Sequence, residues 1–189
     1  VWAPGSPGPG PSSVDLRARG CGYTPSVLAA SQGSELRLDS EEGNLRTVRL
    51  LRMDGAADRA EQTFALAPGG ATLRWPLDLP GHYRLAPVEP PAVEAWLWVL
   101  GPGAFAVTDA EGRFELALPP GSWELRSWHP SLGERSDVVT VPADGPASFY
   151  LDWKLPADGA RLPTGEPPLP APTPPPVEPV DPAIDPPSR

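Results

Sequence analysis

The chain has 189 residues, a formal net charge of −9 and a sequence pI of about 4.7. That acidity argues against nucleic acid and anionic membrane surfaces as partners, because both demand a basic footprint. Thirty prolines and nineteen glycines exclude a mainly helical protein, while 40% hydrophobic residues with seven tryptophans suffice for a real core.

In chain order, residues 1–12 are a Pro/Gly-rich leader with too little apolar surface to order itself. Its default is a floppy terminus; the alternative is that Trp2 docks on a domain or a partner. Val14, Leu16 and Ala18 alternate with Asp15, Arg17 and Arg19 and predict the first strand. Gly20 to Val27 reads as a turn and a short extended piece. Glu35–Asp39 and Leu45–Arg52 read as strands. Arg46, Arg49 and Arg52 on the latter are expected to form a solvated face rather than an anion site. Glu61–Leu66 and Thr72–Trp75 are expected to pair across Ala67-Pro-Gly-Gly70, and Gly81–Leu85 begins another strand. Ala95, Leu97 and Val99 on one face, with Trp96 and Trp98 on the other, predict a strand buried on both sides or crossing between modules.

After Gly101-Pro-Gly103 the pattern is clearest. Asp109-Ala-Glu-Gly112 is a tight turn, and Phe114, Leu116 and Leu118 alternate with Arg113, Glu115 and Ala117. Pro119-Pro-Gly121 turns the chain again, and Trp123 and Leu125 resume the alternation. Asp137–Val141 and Ala147–Trp153 follow, with Phe149, Leu151 and Trp153 sharing a face. From Pro163 the chain is dominated by proline and acids. The acidic tail, 155–189, is either a solvated stalk or a strap lying along a partner's groove, with Pro174, Pro175 and Pro176 as its densest proline run.

The stretch Val107–Pro130, which reads VTD-x-x-G-x-F-x-L, then PPG, then WHP, resembles the carboxypeptidase regulatory-like family. That resemblance implies a small transthyretin-like Greek-key β-sandwich over 104–154, used as a spacer or binding module. Cys21-x-Tyr-x-Pro-x-Val27 and Gly81-x-Tyr-x-Leu85 resemble the cupredoxin-like domains that precede such modules in bacterial periplasmic proteins. This implies a second sandwich over 13–100. Those relatives hold copper through His-Asn-Val and Cys-x-x-His-Pro-Trp-Met stretches. Here Arg46 stands at the first histidine, Pro87 at the cysteine, Pro90 at the second histidine and Val93 at the methionine. None of these side chains can serve a copper centre that wants imidazole, thiolate and thioether.

The expected fold is therefore all-β: two small Greek-key sandwiches in tandem, cupredoxin-like without its metal site and then carboxypeptidase regulatory-like, with proline-rich disordered or extended termini. Chemistry is sparse. His82 and His129 lie in no metal-binding spacing, and Asp109 and Glu111 offer too few oxygens for calcium. Cys21 is the sole cysteine, which excludes an internal disulfide. No nucleophile, phosphate or dinucleotide motif is present, so neither a cofactor nor catalysis is expected. No apolar run approaches the ~20 residues of a membrane helix. The start at Val1, without initiator Met or signal peptide, is read as a mature periplasmic or secreted chain. The expected role is a non-catalytic extracytoplasmic binding or assembly subunit, docking on a larger complex through its sandwiches and tail. Trp2, Trp96, Trp98 and Pro174–Pro176 are its candidate contacts. The alternatives are an accessory of periplasmic electron transfer or metal handling, and a carbohydrate-binding module with Trp96, Trp98, Trp123 and Trp128 as stacking platform.

Overall fold

The structure, a computed structural model, describes residues 1–20, 22–53, 58–88 and 93–153. Among them the elements are β-strands, with no helix: β1 (Trp2–Pro4), β2 (Ser13–Arg19), β3 (Gly22–Thr24), β4 (Val27–Ser31), β5 (Ser34–Ser40), β6 (Arg46–Met53) and β7 (Asp58–Leu66). There follow β8 (Leu73–Leu77), β9 (Gly81–Pro87), β10 (Ala95–Leu100), β11 (Gly103–Phe105), β12 (Gly121–His129) and β13 (Gly133–Val141). The expectations for the tail with Pro174–Pro176, for Cys21 and for Pro90 lie outside the described residues.

The first sandwich packs a sheet ordered β3-β2-β5-β8 against one ordered β4-β10-β9-β6-β7. Period-two alternation explains it. Leu16 and Ala18 of β2, with Leu36 and Leu38 of β5, meet Val48, Leu50, Leu85, Leu97 and Val99 from the other sheet in one buried cluster. The opposite face of β2 and β5 is wet, where Arg17 pairs Asp39 and Glu41, each at 3.2 Å. Such exposed pairs contribute about 0–1 kcal/mol each, so the leucine layer carries the stability. β10 lies between β4, to which it runs parallel, and β9, to which it runs antiparallel. Its Ala95, Leu97 and Val99 face the core, as their spacing predicts.

Several expectations need correction. Glu61–Leu66 and Thr72–Trp75 do not pair. β7 joins β6 in one sheet and β8 joins β5 in the other, so Ala67–Gly70 crosses between sheets. A turn motif fixes a change of direction but not which neighbour the next strand finds. Phe64 and Trp75 then meet edge-to-face across the core, with ring centroids 5.9 Å apart. Nor do Arg46, Arg49 and Arg52 share a face. Three-residue spacing on a strand alternates sides, and the pairing of β6 with β7 slips between Leu50 and Leu51. Only Arg49 of the three is exposed. Arg52 caps the Pro80 carbonyl at 3.3 Å.

The third correction is the leader. Trp2–Pro4 is a strand inside the third sheet, ordered β11-β1-β12-β13. Ala3 is fully buried against Leu125 and Val139, and Ala104 lies opposite it on β11. The leader is anchored further along. The Ser6 hydroxyl donates to the Ala3 carbonyl and accepts from the Ala104 N–H, both at 2.8 Å. The Ser31 hydroxyl donates to the Pro9 carbonyl at 2.7 Å. Leader composition predicts low burial on average, yet a three-residue strand that turns Ala3 into the cluster suffices to fill a gap between strands. The segment 104–154 is thus not self-contained, because its sheet includes the chain's first residues.

Gly103 shows how close that approach is. A Cβ there would lie 2.6 Å from the Ala3 carbonyl oxygen, closer than real carbon atoms come. Gly103→Ala is expected to part β1 from β11 and cost roughly 1–3 kcal/mol, read as a lower thermal midpoint; an unchanged midpoint would mean the two strands are not in contact.

In the remainder, Asp109–Arg113 forms the expected turn. Asp109 accepts from the Glu111 and Arg113 N–H groups at 3.1 and 2.8 Å, and Gly112 takes a φ of 78°. Phe114, Leu116 and Leu118 are half-buried and alternate with exposed residues, as do Phe149, Leu151 and Trp153. The ladders predicted for these two stretches are absent among the described residues. Leu116, Leu118 and Phe149 nevertheless pack on the cluster of Ala3, Leu125 and Val139.

Candidate functional site

Two places gather chemistry. The first is the end of the first sandwich where β6 begins and β9 ends. Val48 is paired with Pro87, and the Val88 N–H donates to the Thr47 carbonyl at 3.0 Å. Arg46 turns across this end and donates to the Gly20 carbonyl and, at 3.4 Å, to the Gly22 carbonyl. Gly22 in turn lies against the Val93 side chain. The structure therefore brings Arg46, Pro87 and Val93 to one end of the sandwich. The guanidinium ties a loop there, and among the described residues the Arg46, Pro87 and Val93 side chains offer no lone pair to a cation. Around it Leu45 and Val93 are each 61% exposed and Val88 42%.

The second place is the outer face of the five-stranded sheet. Trp96 and Trp98 of β10 stand beside Arg84 and His82 of β9. Trp128 of β12 and Trp2 of β1 come onto the same face from the third sheet. Trp2 lies 4.8 Å from Trp98, centroid to centroid. His82 is stacked 4.7 Å from Trp98, meets Trp128 edge-on at 4.2 Å and lies 5.5 Å from Trp96. Burial among these rings lowers the His82 pKa from its ordinary 6.5 to about 4, against the opposing attraction of Asp58. The His82 Nε2 and the Trp98 Nε1 are buried without a hydrogen-bond partner among the described residues.

Arg84 borders the cluster. It pairs with Glu94 at 2.8 Å and with Asp58, and its side chain is largely buried. Burial raises the Glu94 pKa, with Arg84 opposing that rise.

Of the residues singled out from sequence, Trp2, Trp96 and Trp98 thus come together, half-buried against one another, His82 and Trp128. They are not a flat open platform: the Trp96 and Trp98 rings each meet Trp128 at about 60° (57° and 60°). Trp123 is elsewhere, packed on the Ala3 cluster with its N–H donating to the Pro119 carbonyl at 2.8 Å. His82 is the residue that sequence reading undervalued; the signal was its place two residues before Arg84, on the outward parity opposite to Tyr83 and Leu85. His129 accepts from the Ser131 N–H at 3.2 Å. A groove of about 340 Å³ between Pro7, Pro9, Phe105 and Leu116 has few polar groups to orient a ligand.

Among the described residues no group of three or more His, Cys, Asp and Glu side chains is placed to hold a metal ion, and no helix is long and apolar enough to cross a membrane. No protein-family model matches the chain, and neither does any curated protein sequence. Solved structures similar to it include copper proteins of cupredoxin type. A copper-containing nitrite reductase from Thermus scotoductus is 18% identical over 50% of this chain and 23% of its own, with a TM-score of 0.40. Auracyanin A, a blue copper protein from Chloroflexus aurantiacus, is 14% identical over 48% of this chain and 100% of its own, at 0.38. Auracyanin from Roseiflexus castenholzii is 13% identical over 49% and 99%, at 0.39.

Proposed function

We propose that this chain is a non-catalytic, extracytoplasmic binding or assembly subunit, docking on a larger protein complex through the loop end of its first sandwich and through its proline-rich tail. One observation carries the reading. At the end where Arg46, Pro87 and Val93 meet, a guanidinium ties the loop and three aliphatic side chains, Leu45, Val88 and Val93, stand exposed around it. An apolar rim, around described side chains that donate to no metal, suits protein contact. The cupredoxin-like reading of 13–100, the carboxypeptidase regulatory-like reading of the Val107–Pro130 motif and the periplasmic or secreted location belong to the same proposal. The tryptophans favour a different role from sugar binding, since their faces are taken up by one another and by His82.

The test is the native size of the chain in gently prepared extract of its source cells. We expect it to sediment well above its own 20.0 kDa, and Val93→Asp or Leu45→Asp to return it to a monomer with an unchanged melting temperature. A wild-type chain that sediments as a monomer overturns the reading.

A further inference from the structure

One row of residues crosses the five-stranded sheet on its outer face: Ala29, Trp98, His82, Met53 and Asp58, each directly opposite the next. Met53 is the sole methionine of the chain. It is half-buried beside His82, on the side away from Trp98. We propose that His82 and Met53 form a site for a single soft monovalent d10 cation, Cu(I) in its chemical class, beneath the Trp98 and Trp128 rings. The site is separate from the loop end where Arg46 lies.

Four observations converge on it. The His82 Nε2 is a buried nitrogen with no hydrogen-bond partner among the described residues, an arrangement that needs a reason in a native protein. The neighbour across the strand is a thioether, a soft donor that selects Cu(I) over hard divalent ions. The spacing fits. A nitrogen and a sulfur on opposite sides of one such ion lie roughly 4.4 Å apart, taking metal–nitrogen and metal–sulfur bonds of about 2.1 and 2.3 Å. Directly opposed residues on antiparallel strands have Cβ atoms about 4.5–5.5 Å apart. Finally, the Trp98 face stacked 4.7 Å from the imidazole offers its π electrons to a cation beside that ring, and Trp128, edge-on at 4.2 Å, keeps water from it. The Asp58 carboxylate at the end of the row adds attraction, shared with Arg84. Two neutral donors and one carboxylate nearby do not meet the six or more oxygens of calcium or the closed tetrahedron of structural zinc.

The experiment is a titration of the full chain with Ag(I), a redox-inert ion of this class, in chloride-free buffer. A Cys21→Ser background removes the competing thiol. The sole methionine gives one methyl resonance by 13C-methyl NMR, and the tryptophans give a fluorescence readout. We expect one Ag(I) per chain, a shift of the Met53 methyl resonance and quenching of tryptophan emission. Met53→Leu, which keeps the volume of the side chain, is expected to weaken binding at least tenfold, and His129→Ala to leave it unchanged. A methyl resonance that stays in place at one equivalent of Ag(I), or Met53→Leu binding as tightly as the parent, overturns the site. His82→Gln supplies the same test from the nitrogen side, with circular dichroism to establish that the sheets remain.

Discussion

Ala3→Asp is expected to release the N-terminal strand and to unfold the third sheet at a denaturant concentration where the first sandwich persists. Ala3 is fully buried, and its neighbours are Leu125 and Val139 with Leu116, Leu118, Trp123 and Phe149 around them. A carboxylate there meets no cationic partner. Leaving a charge buried and unpaired costs roughly 3–5 kcal/mol, against a total stability of about 5–15 kcal/mol for a typical domain. The loss falls unevenly because the two cores are separate clusters. The leucine layer of the first sandwich, from Leu16 to Val99, contains no residue of β1. The measurement is urea unfolding followed by tryptophan emission, with limited proteolysis of residues 107–153 as a second readout. We expect the parent to show that segment protected and Ala3→Asp to show it cut early. An unchanged cleavage pattern would mean that β1 does not hold the third sheet.

The second large effect concerns acid. His82 takes its proton near pH 4 in the folded chain and near 6.5 when unfolded. Between those values the unfolded chain binds more protons, so this ring's contribution is fully present above about pH 6.5 and lost as the pH falls to 4. The shift is worth at most about 3 kcal/mol, and about 2 after allowing for water that reaches a half-buried ring. Glu94 works against it. Its pKa is raised by burial, so the penalty on its charged form is relieved as the pH falls. His82→Phe isolates the histidine. In chelator-containing buffer we expect parent and variant to differ little at pH 7.5 by reason of charge, and the variant to gain about 2 kcal/mol on the parent by pH 4.5. Parallel stability curves for the two chains would show that the cage does not depress the histidine.

The second effect centres on the packing of Trp2 and Trp128 over Trp98 and His82, and that contact was only partly legible in the sequence. The parity of Trp96 and Trp98 against Ala95, Leu97 and Val99 predicted a strand apolar on both faces, and β10 is one. Nothing in that parity named the covering residues. Trp128 comes from a strand more than two dozen positions later, and Trp2 from a leader whose composition argues for disorder. Likewise Met53 and His82 lie on strands separated by β7 and β8, so no spacing rule for metal ligands reaches across them.

Local sequence was enough for the all-β class, the inward parity of Leu16, Leu36, Leu38, Val48, Leu50, Leu85 and Leu97, and the Asp109–Gly112 turn. These follow from local rules: proline and glycine exclude helix, side chains alternate along a strand, and a turn needs particular residues within a few positions. It also determined that Arg46, Pro87 and Val93 lack metal-donating atoms, which is a property of the residues alone. Tertiary structure decided the rest. It sent β7 and β8 to different sheets, set Trp2–Pro4 between β11 and β12, and put Met53 opposite His82. The physical reason is that strand pairing and sheet stacking are chosen by long-range complementarity of buried surface, and the same alternating strand can satisfy its backbone beside several neighbours.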